Sequence, residues 1–330
     1  MSMQVLKPSS VALFENDEIF ETCLQGYFQD HIGCMSLELI ALSNMAIVEE
    51  KNDGDLKTVL YQESPIISTY LVAVVVGLFD YVEDHTSNEV KVRVYCQIGK
   101  TDQGKFALHV IVKTLELFKD YFVTPYSLPK LDMIAIPDFA AGAMENYGLV
   151  TYWETVLLYD DQHSVATNKQ RVATVVAHEL THLWFGNLVT MEWWTHLWLN
   201  EGFATWVSYL AIDSLFLEWK IWSQFLYEIT AGLKLDGVVD SRPIEVEINH
   251  VGEIDEIFDV GYVVLYRTNE ACINPDIISY NSLISSAARK CLLSKSLSLF
   301  DEMLQRVIHS DVWSYNILKL PSSIQIAFGY

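Results

Sequence analysis

Two histidines four residues apart enclose a glutamate in His178-Glu179-Leu180-Thr181-His182. On a helix such a pair projects from one face about one turn apart, so both imidazoles can share a tetrahedral Zn²⁺ while Glu179 reaches a water on the metal. A third ligand is required. Glu201 is the candidate, separated from His182 by eighteen residues, in Leu197-Trp198-Leu199-Asn200-Glu201-Gly202-Phe203-Ala204. That interval lets one helix end near Gly186, a connection pass, and a second helix return a carboxylate beside the histidines. Two histidines and one carboxylate leave a coordination position open for water, which is the catalytic rather than the structural arrangement. The bland alternative is a helix with solvated His and Glu side chains.

The elements that must position these groups follow from periodicity. A helical pattern runs from about 168 to 185, and Phe203, Trp206, Val207 and Leu210 mark a second helix. Upstream, Phe106, Val110, Ile111, Leu115 and Phe118 recur at helical spacing across 103–122, with extended segments at 133–136 and 149–153. Earlier still, strands are expected at 37–42, at 58–62 after the Asn52-Asp53-Gly54-Asp55 turn, and at 68–79 and 90–96. This order predicts an α+β chain with its site between a strand and a helix. Gly142-Ala143-Met144-Glu145-Asn146 falls in a loop or edge strand before Leu149. The carboxylate of Glu145 can receive a cation, although a glutamate taken alone in such a place is more often a solvated turn residue.

Composition narrows the function classes. The 330 residues include 51% apolar ones, enough for a buried core, and 21 Lys and Arg against 43 Asp and Glu give a net charge of −22. Most of such a surface repels a polyanion, so no nucleic-acid partner is expected. Five scattered cysteines without a C-x-x-C pair favour a reducing compartment. The opening segment lacks the features of a secretory signal, and the longest apolar stretch, 70–79, falls short of the roughly 20 residues of a membrane helix. The expectation is a cytoplasmic chain without a transmembrane segment.

The H-E-x-x-H pair, the Glu after eighteen intervening residues, and G-A-M-E-N about thirty residues before resemble the zinc aminopeptidase family that includes puromycin-sensitive aminopeptidase and aminopeptidase N. Trp184-Phe185-Gly186-Asn187-Leu188-Val189-Thr190 and Met191-Glu192-Trp193-Trp194 extend the likeness, which covers about 37–259 and points to the puromycin-sensitive branch in its plant form. The resemblance implies one Zn²⁺ per chain on His178, His182 and Glu201, with Glu179 as general base. It implies that Gly142, Ala143, Met144, Glu145 and Asn146 bind the free α-ammonium of a peptide, so that only the first peptide bond is cut. It also implies a partial β-domain over 37–98 and a thermolysin-like catalytic domain over 99–259, leaving 1–36 unassigned.

The chain departs from the family pattern in several places. Thr181 and Leu183 stand where Ala and Gln are expected, and Trp153 where Arg is expected. The family's oxyanion-stabilising tyrosine has as its nearest counterpart Tyr262, one residue short of the expected place. The family's β-domain begins well before residue 37, so the matched part should expose an unpaired sheet edge. These departures predict an aminopeptidase impaired by truncation, or a catalytically dead zinc and peptide binder.

After about 260 the character changes. Asp276-Ile277-Ile278-Ser279-Tyr280-Asn281 and Asp311-Val312-Trp313-Ser314-Tyr315-Asn316 stand 35 residues apart, and Leu292, Leu293, Leu297, Phe300 and Leu304 space out a helix between them. This foreign helical tail, 260–330, resembles a pentatricopeptide repeat, with Asn281 and Asp311 at the base-selecting positions. An RNA-binding adaptor is the alternative it raises. One whole repeat is below the roughly three that a solenoid needs. Five Lys and Arg against four Asp and Glu over 271–330 make no basic groove.

Overall fold

The computed structural model describes residues 12–13, 25–26, 31–139, 142–226, 230, 245–248 and 254. The chain divides into two compact units, Met1–Ile248 and Asn249–Tyr330. All the elements below belong to the first. The expectations for Tyr262, for the repeat-like tail and for most of residues 1–36 lie outside the described residues.

The first part of the chain is built from short antiparallel strands. β1 (Ala12–Leu13), β8 (Val74–Gly77) and β4 (Ile40–Ser43) form one sheet in that order, and β3 (His31–Ser36), β6 (Leu56–Tyr61) and β5 (Ile47–Asp53) form another. β2 (Gln25–Gly26) pairs with β7 (Ile67–Ser68). The Asn52 to Asp55 turn joins β5 and β6 as a hairpin, with Gly54 at φ +62°. β5 is exposed along its whole length and carries Glu49, Glu50, Lys51 and Asp53, the charged kind of edge that discourages pairing with another chain.

Two expected strands need correction, and one strand is new. The apolar run over 68–79 is not one strand: β7 ends at Ser68, a 3-10 turn over Thr69–Leu71 buries Tyr70 and Leu71, β8 follows, and β9 (Phe79–His85) belongs to a different sheet. The strand expected at 37–42 starts only at Ile40, because the Leu39 N–H closes a turn onto the Ser36 carbonyl. β5 is additional to the expected set, since a fully exposed strand has no alternation for a pattern to detect.

The second part carries the larger sheet, in the order β12-β13-β11-β10-β9. β10 (Lys91–Gln97), β11 (Lys130–Ile136) and β13 (Leu149–Trp153) run parallel, while β9 and the two-residue β12 (Ala143–Met144) close its edges antiparallel. The crossover from β10 to β11 is α1 (Thr101–Phe122), which buries Ala107, Val110, Ile111, Leu115 and Phe118. Every residue of β11 is buried, as expected of a central parallel strand. The short α2 (Glu154–Leu157) leads to α3 (Ala166–His182), which packs on α1 and on α4 (Leu197–Leu215). Among the described residues, no helix is long and apolar enough to cross a membrane.

Two buried polar side chains join the parts. Asn44, just after β4, donates through Nδ2 to the carbonyls of Leu71 and Tyr147, both at 2.8 Å, and accepts from the Ala73 N–H at 2.9 Å. Lys130, opening β11, donates to the carbonyls of Ser43 at 2.6 Å and Gly148 at 2.8 Å. The loop between β12 and β13 is therefore fastened at Tyr147 and Gly148 to the segment that follows β4.

Candidate metal centre

α3 delivers His178, Glu179 and His182 in its last turns, with Glu179 and His182 buried. The helix stops at once: its C-cap is Leu183, and the Asn187 N–H returns to the His182 carbonyl at 3.0 Å. Gly186 makes this reversal possible. Its φ is +142°, and a Cβ there would lie 3.2 Å from the His182 carbonyl oxygen. α4 begins after Trp193 and Trp194 and brings Glu201 to the imidazoles from its second turn.

The three candidate ligand atoms form a small triangle. His178 Nε2 and His182 Nε2 lie 3.1 Å apart, and Glu201 Oε2 lies 3.4 Å from the first and 3.6 Å from the second. Ligands at roughly 2.0–2.1 Å from a tetrahedral Zn²⁺ are spaced about 3.3–3.4 Å from one another, so the triangle has the right size for that ion. His182 Nδ1 donates to the Phe185 carbonyl at 3.1 Å. This bond turns Nε2 toward Glu201 as the atom free to coordinate, the usual outer-shell support of a metal-ligating histidine.

A second group overlaps the first. One ligand atom from each of Glu145, Glu179 and His182 lies within 4.8 Å of the others, and all three residues are buried. Burial disfavours charge on His182, yet Glu145, Glu201 and Glu179 outweigh it and hold the imidazole pKa up at about 10. Burial also pushes the Glu179 carboxyl well above the carboxylate range; His182 pulls it down, while Glu145 and Glu201 push it further up. Partial burial opposes charge on Glu201 as well, but hydrogen bonds from His178 and His182 take its pKa down to about 2. A pocket that holds a proton on an imidazole this strongly favours cations, and its N and O donors suit zinc.

β12 places Met144 opposite Thr151 and Ala143 opposite Tyr152, so the G-A-M-E-N segment is an edge strand running into a loop. The Trp153 N–H donates to the Gly142 carbonyl at 2.9 Å, and Thr151 Oγ1 donates to Asn146 Oδ1 at 2.9 Å. Asn187 Nδ2 donates to the Glu145 carbonyl at 3.0 Å. Asn187 was not among the residues singled out by spacing. The departures are accommodated locally: Thr181 Oγ1 donates to the Ala177 carbonyl at 2.8 Å, Leu183 is buried, and Trp153 Nε1 donates to the Pro137 carbonyl at 3.2 Å.

Residues 106–273 match the peptidase family M1 domain, just over half of the chain, and include all the groups of the triangle. The chain belongs to peptidase family M1. Residues 275–318 match the PPR repeat family, and the two matches adjoin without overlap. Among M1 relatives, aminopeptidase M1 of Arabidopsis thaliana is 76% identical over 236 residues, covering 72% of this chain and 26% of the relative. Puromycin-sensitive aminopeptidase of Caenorhabditis elegans is 43% identical over 281 residues, 84% of this chain and 28% of its own length. Alanine/arginine aminopeptidase of Saccharomyces cerevisiae is 46% identical over 222 residues, 67% and 26% of the two chains. The match thus spans about a quarter of the length of these M1 relatives.

Proposed function

We propose that this chain is a zinc aminopeptidase that removes the N-terminal residue from peptides in the cytoplasm, with residues 99–259 as a thermolysin-like catalytic domain. The observation that carries it is the grouping of Glu145, Glu179 and His182 within 4.8 Å. A carboxylate able to hold a free α-ammonium, standing beside a candidate general base and a candidate metal ligand, leaves room for one residue between the amine and the bond cut.

His178, His182 and Glu201 would hold one Zn²⁺, which when bound acidifies water and polarises a carbonyl. Glu145 anchors the ammonium of the substrate, flanked by Gly142, Ala143, Met144 and Asn146. Glu179, buried and held in its more basic range by neighbouring carboxylates, takes the proton of the attacking water and returns it to the departing amine. Phe185, through its carbonyl, keeps His182 in the tautomer and orientation that coordination needs. Residues 37–98 supply part of a β-domain, and residues 275–318, which match the PPR repeat family, take no part in the reaction.

The test is hydrolysis of a fluorogenic aminoacyl substrate by the zinc-loaded chain. Glu179→Gln should retain zinc and lose about 10²–10⁴ in kcat. Glu201→Gln should lose zinc as well. Zinc retained without turnover in the unaltered chain would leave a peptide-binding metal protein.

A further inference from the structure

We infer that Asn187 is a positioning residue that sets Glu145 over the metal-binding helix and so governs recognition of the substrate's free amine; this rests on the role given above to Glu145. The side chain of Asn187 is buried. Its Nδ2 donates to the Glu145 carbonyl at 3.0 Å, and its backbone N–H donates to the His182 carbonyl at 3.0 Å. One residue is thereby bonded at one end to a candidate zinc ligand and at the other to the candidate amine anchor, 42 positions away in the chain.

Glu145 depends on this bond more than its neighbours do. The pairing of β12 with β13 covers Ala143 and Met144 and stops there. Asn146 has its own ties, through Oδ1 to Thr151 and through its carbonyl to the Leu149 N–H at 3.1 Å. Between the end of the ladder and those ties, the Glu145 carbonyl is met by the Asn187 amide. A buried carbonyl stripped of its donor shifts to find another, and the carboxylate moves with the backbone. A displacement of about 1 Å at a reacting group can cost about a hundredfold.

The bond also joins two segments that enter the site from opposite sides. The Gly186 reversal presents Asn187 from the end of α3, whereas Glu145 arrives from the sheet edge. The Asn187 amide fixes the spacing between the amine subsite and the metal ligands, without contact to either substrate or metal.

The test compares binding of leucine hydroxamate with that of 4-methylpentanohydroxamic acid, its twin lacking the α-amine, to the zinc-loaded full chain. The unaltered chain should prefer the amine-bearing compound. In Asn187→Ala that preference should fall by about tenfold or more, while affinity for the amine-free twin and the bound zinc stay unchanged. Asn187→Gln, which keeps a donating amide, should recover part of the preference. Should Asn187→Ala not fold, the isosteric Asn187→Asp carries the same comparison, since an ionised carboxylate offers no proton to the Glu145 carbonyl. An unchanged preference, or equal weakening of both compounds, would overturn the assignment of Asn187 alone. Absence of any preference in the unaltered chain would remove the role of Glu145 and this one with it.

Discussion

The ammonium of Lys130 lies 2.8 Å from the carboxylate of Asp132 inside the protein, with the two side chains only 8% and 4% exposed. Residues two apart on a strand share a face, so the pair lies on the side of β11 that meets the segment following β4. Burial lowers the Lys130 pKa and Asp132 opposes that shift. The two carbonyls that Lys130 also reaches, Ser43 and Gly148, make it a fastening point as much as an ion pair.

Lys130→Met should therefore cost about 3–5 kcal/mol, because it leaves the buried Asp132 carboxylate with only the more distant Arg93 guanidinium, 3.9 Å away, to balance it. Replacing both, with Asp132→Leu added, should recover much of the loss. Urea denaturation of the two variants checks this. A single variant as stable as the parent would mean that Arg93 or water balances Asp132 once Lys130 is gone.

Gly148→Ala should be harsher than an ordinary loop substitution. Gly148 has φ +88°, and a Cβ there would lie 2.2 Å from the Asn44 carbonyl oxygen. Backbone strain alone costs about 1–3 kcal/mol, and the clash forces the loop carrying Glu145 away from Asn44. Thermal melting should show the loss, accompanied by weaker substrate binding.

Stability of the chain stripped of metal should depend on pH in a defined direction. The His182 pKa is raised to about 10, against burial, by Glu145, Glu201 and Glu179. A raised histidine contributes stability that is fully present below about pH 6.5 and is lost as pH rises through about 10. Glu201, lowered to about 2, contributes above about pH 4.5 and loses its contribution as pH falls through about 2. Melting temperatures after chelation should therefore decline from neutral toward alkaline pH. With zinc on His182 Nε2 that alkaline decline should vanish, and a flat profile after chelation would contradict the carboxylate cage.

Much of the candidate metal centre was legible because its signals are local. α1 and α3 begin two residues before the 103–122 and 168–185 patterns, α3 ends at His182, and β13 has the expected limits of 149–153. The eighteen-residue interval to Glu201 pointed to a returning helix, and α4 is that helix. The β-rich part was harder. From Tyr70 to Phe79 only Gly77 interrupts the apolar run, so no polar position marks where the turn gives way to β8 or where β9 enters another sheet. Asn187 was illegible for a different reason. Its donor acts on a backbone carbonyl 42 positions away, and no side-chain type at position 145 announces that contact.

Asn44 uses both amide hydrogens and its carbonyl oxygen, and all three partners are backbone groups of Leu71, Ala73 and Tyr147. Such a clasp ignores the side chains it grips. Drift at positions 71, 73 and 147 leaves it intact so long as the backbone holds its course, whereas at position 44 even aspartate forfeits two of the three bonds. The evolutionary constraint of a junction made by four residues is thus concentrated in one asparagine, and tolerance to substitution along this seam should be correspondingly uneven.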